Sequence, residues 1–129
     1  MNDDAAHTPS GRAVLVVEDD PGIGNMLVAL LAAEGYTPRL VTDGQEALEA
    51  VRRSRPALIT LDLSLPTIDG VDVLERLDDG AGRRVPVVVV SAYTERLTDV
   101  HRARAVAVLT KPFEIDALLS CISSALGEV

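Results

Sequence analysis

Lysine occurs once in this chain, at Lys111, cysteine once, at Cys121, and tryptophan not at all. A lone cysteine cannot staple a monomer, so no internal disulfide framework supports the fold, and Cys121 is assigned no role. The aromatic side chains are Tyr36, Tyr93 and Phe113, a thin supply for any site that must sandwich a planar cofactor. Basic residues number 12 against 20 acidic ones, for a net charge of -8. Direct nucleic-acid binding needs Lys and Arg to neutralise phosphates, so this balance argues against it and favours a metal or a cationic partner. No apolar run approaches the roughly 18 residues that cross a bilayer. The opening Met1-Asn2-Asp3-Asp4 lacks the basic and apolar regions of a signal peptide, so the expectation is a cytoplasmic protein with no membrane contact.

With 129 residues and 47% apolar content, the chain fits one globular domain. Residues 1–12 are polar and read as a flexible tail, with the domain spanning 13–129. Five short apolar or β-branched runs read as strands: Ala13 to Val17, Thr37 to Val41, Ala57 to Leu61, Val85 to Val90 and Ala105 to Leu109. Several are apolar throughout, which marks strands buried on both faces of a parallel sheet. Helical stripes alternate with them. Ile23, Leu27, Leu30 and Leu31 form the first, framed by Asp20 as cap, Pro21 at the first position and Gly35 as terminator. Asp43 caps a second with Ala47, Leu48 and Val51, and Gly70 opens a third with Val73, Leu74 and Leu77. A weakly patterned fourth covers about Glu95 to Arg104, and the last carries Ile115, Leu118, Leu119, Ile122 and Leu126 on one face. With right-handed crossovers, this gives an α/β three-layer doubly wound (βα)5 sandwich, strand order 2-1-3-4-5. Ligands in such sheets bind at the carboxyl ends of the strands.

Those ends carry Glu18-Asp19-Asp20, Asp62, Ser91 and Lys111-Pro112. Glu18, Asp19 and Asp62 converge on one pocket, where like charges need a cation between them. Mg²⁺ suits the set, because it takes a few carboxylate oxygens and keeps waters or phosphate oxygens for the rest. A carboxylate attacks phosphorus to form an acyl phosphate, and Asp62, on the central strand, is the nucleophile of choice. Lys111 supplies the point-charge ammonium that phosphoryl transfer calls for, and Ser91 a hydroxyl donor. Asp20, Asp43 and Asp69-Gly70 read as caps and a turn, and Asp20 is left out of the metal set. His7, in the tail, and His101, in a polar helix, read as solvated. Gly22-Ile23-Gly24 lacks the third glycine of a nucleotide loop and follows acids that would repel a phosphate.

The segments Val14 to Pro21, Leu58 to Gly70, Val87 to Ala92 and Leu109 to Phe113 resemble, in order, the four signature segments of two-component response-regulator receivers, the CheY-like members of the flavodoxin-like fold. The likeness covers about residues 13–126. It implies that Asp62 accepts a phosphoryl group from a phosphohistidine. Glu18, Asp19, Asp62 and the Ser64 backbone carbonyl would hold Mg²⁺, with Mn²⁺ a possible substitute, Glu18 acting through water. Ser91 would be the switch hydroxyl, Lys111 the phosphate partner, and Lys111-Pro112 a cis peptide. The implied partners are a sensor histidine kinase or a histidine phosphotransfer protein, docking through the first helix, and a candidate second copy through the face of helix four, strand five and helix five. The output would come from a stand-alone receiver or the first part of a transcriptional regulator, and the domain would catalyse only its own phosphorylation and dephosphorylation.

The chain departs from the family at Val108, which stands where the switch aromatic is usual, and at Val106 and Ala107, which replace an acidic pair. The interval from Ser91 to Lys111 is also shorter than usual. Tyr93, two positions beyond Ser91, is placed to shield an acyl phosphate from water. Two other classes fit the fold less well. A flavodoxin-like redox protein would want a hydroxyl-rich phosphate loop where Glu18 and Asp19 stand. An aspartate-nucleophile phosphohydrolase would want an acid two residues after Asp62, where Ser64 stands.

Overall fold

Alternating strand and helix signals close into a parallel sheet with helices on both faces. The computed structural model describes residues 12–77 and 84–128. Among these, the strands are β1 (Ala13–Val17), β2 (Thr37–Val41), β3 (Leu58–Leu61), β4 (Val87–Ser91) and β5 (Ala107–Thr110). The helices are α1 (Pro21–Ala33), α2 (Gly44–Arg53), α3 (Gly70–Arg76), α4 (Asp99–Arg104) and α5 (Ile115–Ala125), with a 3-10 turn at Thr94–Arg96. The strands are parallel in the order β2-β1-β3-β4-β5.

Side chains of a strand point alternately to opposite faces, and here both faces are apolar. Val14 and Val16 of β1, Leu58 of β3 and Val88 and Val90 of β4 pack with Leu27 and Leu31 of α1 and Leu118 and Ile122 of α5. Leu15 and Val17, Ile59 and Leu61, and Val87 and Val89 turn the other way, onto Ala47, Leu48 and Val51 of α2 and Val73 and Leu74 of α3. Full burial contributes about 1.5–3 kcal/mol for each such Val or Leu, so the three inner strands and the helix faces that cover them share the driving force. β2 and β5 are the edges and are less buried, and Pro38 is tolerated in β2 because an edge strand leaves one side of its ladder unpaired.

Helix starts follow local chemistry. Asp20 Oδ1 accepts from the N–H of Gly22 at 2.8 Å and of Ile23 at 3.3 Å, and Asp43 Oδ1 from that of Glu46 at 2.7 Å. Gly35, at φ +90°, ends α1 in the left-handed region that glycine enters without steric penalty.

Four readings are corrected. β4 begins at Val87, two residues later than its apolar run, because Pro86 has no N–H for the ladder; its carbonyl still accepts from Ile59 at 2.9 Å. β5 begins at Ala107, because Ala105 is the C-cap of α4 and donates its N–H to His101 O at 3.2 Å. The fourth helix splits: the Thr98 hydroxyl accepts the His101 N–H at 3.2 Å, so α4 begins only at Asp99 and the residues before it form the 3-10 turn. His101 is accordingly not solvated. Its Nδ1 accepts from Thr98 N–H at 3.2 Å, its Nε2 lies 2.8 Å from Glu75 Oε2, and its side chain is 14% exposed.

The tail reading and His7 fall outside the described residues except at Arg12. That guanidinium stacks over the Tyr36 ring, 4.2 Å from its centroid, and donates to Gly35 O at 2.9 Å and Glu128 Oε2 at 2.6 Å.

Candidate functional site

The ends of β1, β3, β4 and β5 meet at one edge of the sheet, and the polar residues following or closing them gather there. β1 pairs with β3 through Val17 and Leu61, so Glu18 and Asp62, each the next residue along, emerge side by side. β4 pairs with β5 through Ser91 and Thr110, which brings Lys111 beside them. Glu18 and Asp62 are buried, at 2% and 5% exposure, and Ser91 is fully buried, whereas Asp19 is exposed.

Lys111 Nζ lies between the two buried acids, 2.7 Å from Glu18 Oε1 and 3.0 Å from Asp62 Oδ2. The remaining oxygens meet backbone donors: Glu18 Oε2 accepts from Asp20 N–H at 3.1 Å and Asp62 Oδ1 from Ser64 N–H at 3.1 Å. The Ser91 hydroxyl accepts from Tyr93 N–H at 3.2 Å, and Lys111 N–H donates to Ser91 O at 2.9 Å. The Lys111–Pro112 peptide is cis.

Burial pushes the Glu18 carboxyl up to about 7, against the hydrogen bonds from Lys111 and Asp20; the charge of Asp62 adds to the rise. Burial also acts upward on Asp62, but the Ser64 N–H and the Lys111 ammonium outweigh it and hold that carboxyl below its usual range. Burial pulls the Lys111 ammonium down, and its bonds to Glu18 and Asp62 more than reverse this. With Glu18 at about 7 and Asp62 held below its usual range, Asp62 is the stronger acid of the pair.

Carboxylate oxygens of Glu18, Asp19 and Asp62 all lie within 4.8 Å of one another. This is a hard-oxygen set in which two buried acids share a single ammonium, and it fits a divalent cation such as Mg²⁺. Asp20 stays outside it, its side chain occupied in capping α1.

Sequence reasoning missed the packing beneath Asp62. A Cβ on Gly70 would lie 2.3 Å from Leu63 Cα and 2.7 Å from Asp62 O, so the first turn of α3 closes on the loop that carries the acid only because position 70 has no side chain. The pattern D-G was visible, but it signals a turn or cap just as readily. Also unforeseen were the Thr94 and Thr110 hydroxyls, 2.8 Å apart, and the ion pair of Arg96 with Asp69. Val108, in β5, packs partly buried against the α2–α3 side of the core. Tyr93 is 49% exposed.

The model of the response regulator receiver domain matches residues 14–123, and the chain belongs to that family of signalling switches. It is 37% identical over 117 residues to the DNA-binding response regulator MtrA of Mycolicibacterium smegmatis, covering 89% of this chain and 50% of that protein. It thus spans about half the length of that relative. It is also 31% identical to the polar-differentiation response regulator DivK of Brucella anthropi, over 91% of this chain and 98% of that one. Among solved structures it is similar to the receiver domain of the sensor histidine kinase PA1611 of Pseudomonas aeruginosa, which holds a magnesium ion in its active-site cleft. The TM-score is 0.80 at 29% identity, covering 92% of this chain and all of the other. The doubly wound architecture in the order 2-1-3-4-5 is shared with these CheY-like receivers.

Proposed function

We propose that the chain is a receiver whose Asp62 takes a phosphoryl group from a phosphohistidine. The observation that carries this reading is the setting of Asp62: a buried carboxyl group with one oxygen on Ser64 N–H, the other on Lys111, and two further acids within ligand distance. In the transfer an Asp62 oxygen attacks phosphorus, the phosphorus–nitrogen bond breaks, and its electron pair leaves with the imidazole. Glu18, Asp19, Asp62 and the Ser64 carbonyl are the residues that would hold Mg²⁺, or Mn²⁺ in its place, and the ion would neutralise charge developing on the phosphoryl oxygens. Lys111 releases one carboxylate contact to pair with the new phosphoryl group, and Ser91 turns its hydroxyl towards it. The product is a switch, with phosphorylation and its hydrolysis as the only chemistry.

An apolar groove of about 540 Å³, lined by Ile23 and Met26 of α1 with Pro112, Phe113 and Ile115, lies beside Lys111. Met26 and Ile115 are 43% and 44% exposed, which suits docking of a histidine kinase or phosphotransfer protein against α1. Val100 and Val106, 77% and 52% exposed on α4 and before β5, would make a second copy's contact with that face apolar. Sedimentation should then show self-association that modest added salt does not dissolve. Among the described residues no helix is long and apolar enough to cross a membrane. The acidic balance, 20 acidic against 12 basic residues, supports a role without direct nucleic-acid contact, and membership of the receiver family supports a cytoplasmic one.

Incubation with acetyl phosphate, with and without Mg²⁺, tests the core reading by intact mass. A Mg²⁺-dependent phosphoryl adduct that D62N lacks is the expected result. Absence of the adduct under conditions that label another receiver would sink it.

A further inference from the structure

The connection from β4 to α4 starts at Ser91, whose hydroxyl the site uses, and it is pinned from three directions. Arg96 Nη2 donates to Asp69 Oδ2 in an ion pair. Asp69 is itself fixed, because its Oδ1 caps α3 by accepting Val71 N–H at 3.0 Å, at the far end of the loop that begins at Asp62. The Thr94 hydroxyl meets that of Thr110, the residue before Lys111, and Arg102 donates to Thr94 O at 3.1 Å. Leu97 is buried in the core. Internal bonds make the segment one piece: Tyr93 N–H to Ser91 Oγ, Arg96 N–H to Tyr93 O at 3.2 Å, and Leu97 N–H to Thr94 O at 3.1 Å. A continuous run of hydrogen bonds thus connects Ser91 to Arg96.

We propose that the Arg96–Asp69 ion pair is a latch that joins the loop after β4 to the loop after β3 and favours the resting arrangement, in which the Ser91 hydroxyl is held by Tyr93 N–H. Opening it favours the arrangement in which that hydroxyl meets a phosphoryl group. This inference rests on the phosphoryl-acceptor reading above and adds a regulator to it. Arg96 and Asp69 are positioning residues, outside the set that touches the transferred group. Their side chains are 37% and 43% exposed, and a pair of that kind biases a two-state equilibrium by about two- to fivefold.

R96A and D69N test it; asparagine keeps the oxygen that caps α3 and loses the charge. Two quantities are measured on wild type, both single variants and the double variant. One is the rate of adduct formation from acetyl phosphate with Mg²⁺; the other is backbone hydrogen exchange over residues 92–97 without any phosphoryl donor. The latch requires each single variant to label about two- to fivefold faster and to exchange faster in that segment, with the double variant no faster than either single one. Labelling at the wild-type rate with unchanged exchange overturns it, as does an additive double variant. A wild-type chain that takes no adduct overturns the site reading and the coupling built on it; a normal wild-type adduct with indifferent variants overturns the latch alone.

Discussion

Glu18→Gln should remove a pH dependence of stability that the folded site creates. The wild-type carboxyl lies at about 7 in the folded protein against an ordinary value of 4.5, because it is buried. An acid that holds its proton more tightly when folded stabilises the fold at low pH and loses that contribution as pH rises through its folded value. Between pH 5.5 and 8.5 the loss amounts to about 2 kcal/mol for this group. Glutamine has no proton to lose. Its altered contacts with Lys111 and Asp20 shift stability by an amount common to both pH values, which cancels when the two are compared. Urea unfolding followed by circular dichroism, in buffer with chelator, should therefore show E18Q gaining about 2 kcal/mol on wild type from pH 5.5 to 8.5. Excess Mg²⁺ should shrink the gain, since a bound cation favours the carboxylate of the wild type. A stability difference that stays constant across this range would refute the assignment of Glu18 as the raised acid.

Thr60, on β3, is 1% exposed and its hydroxyl has no hydrogen-bond partner among the described residues, so Thr60→Val should stabilise by about 1 kcal/mol and raise Tm by about 3 to 5 °C in a thermal melt. Gly70→Ala forces a Cβ against the Leu63 backbone, and chemical denaturation should show a loss of about 3 kcal/mol or more. Tyr93→Ala should speed loss of the phosphoryl group from Asp62 by about two- to tenfold through freer access of water; an unchanged lifetime by mass spectrometry would remove Tyr93 from the path.

The legible part of this protein was what repeats along the chain or depends on near neighbours. Continuous apolar runs such as Val87 to Val90 announce a strand buried on both faces wherever it ends up, and Asp20-Pro21 starts a helix through bonds within a few residues. From that alternation and the common doubly wound order that five strands fit best, the edge that carries the site followed, and with it Glu18, Asp19, Asp62, Ser91 and Lys111 as neighbours. What escaped depends on who sits opposite. His101 reads as a polar helix residue until Glu75 of α3 is brought to its ring. Asp69 reads as a cap until Arg96 arrives from another loop, and Gly70 as a turn until the Leu63 backbone presses against it. The same holds for the protonation states. Glu18 and Asp62 are two acids of one pocket in the sequence, yet they part in opposite directions because backbone donors and one ammonium are shared unequally between them. Local propensity and hydrophobic period are written in the chain and determine the elements, their order and the residues that meet at one edge of the sheet. Burial, close approach and the balance of a buried charge are properties of surroundings, and only the tertiary structure decides them.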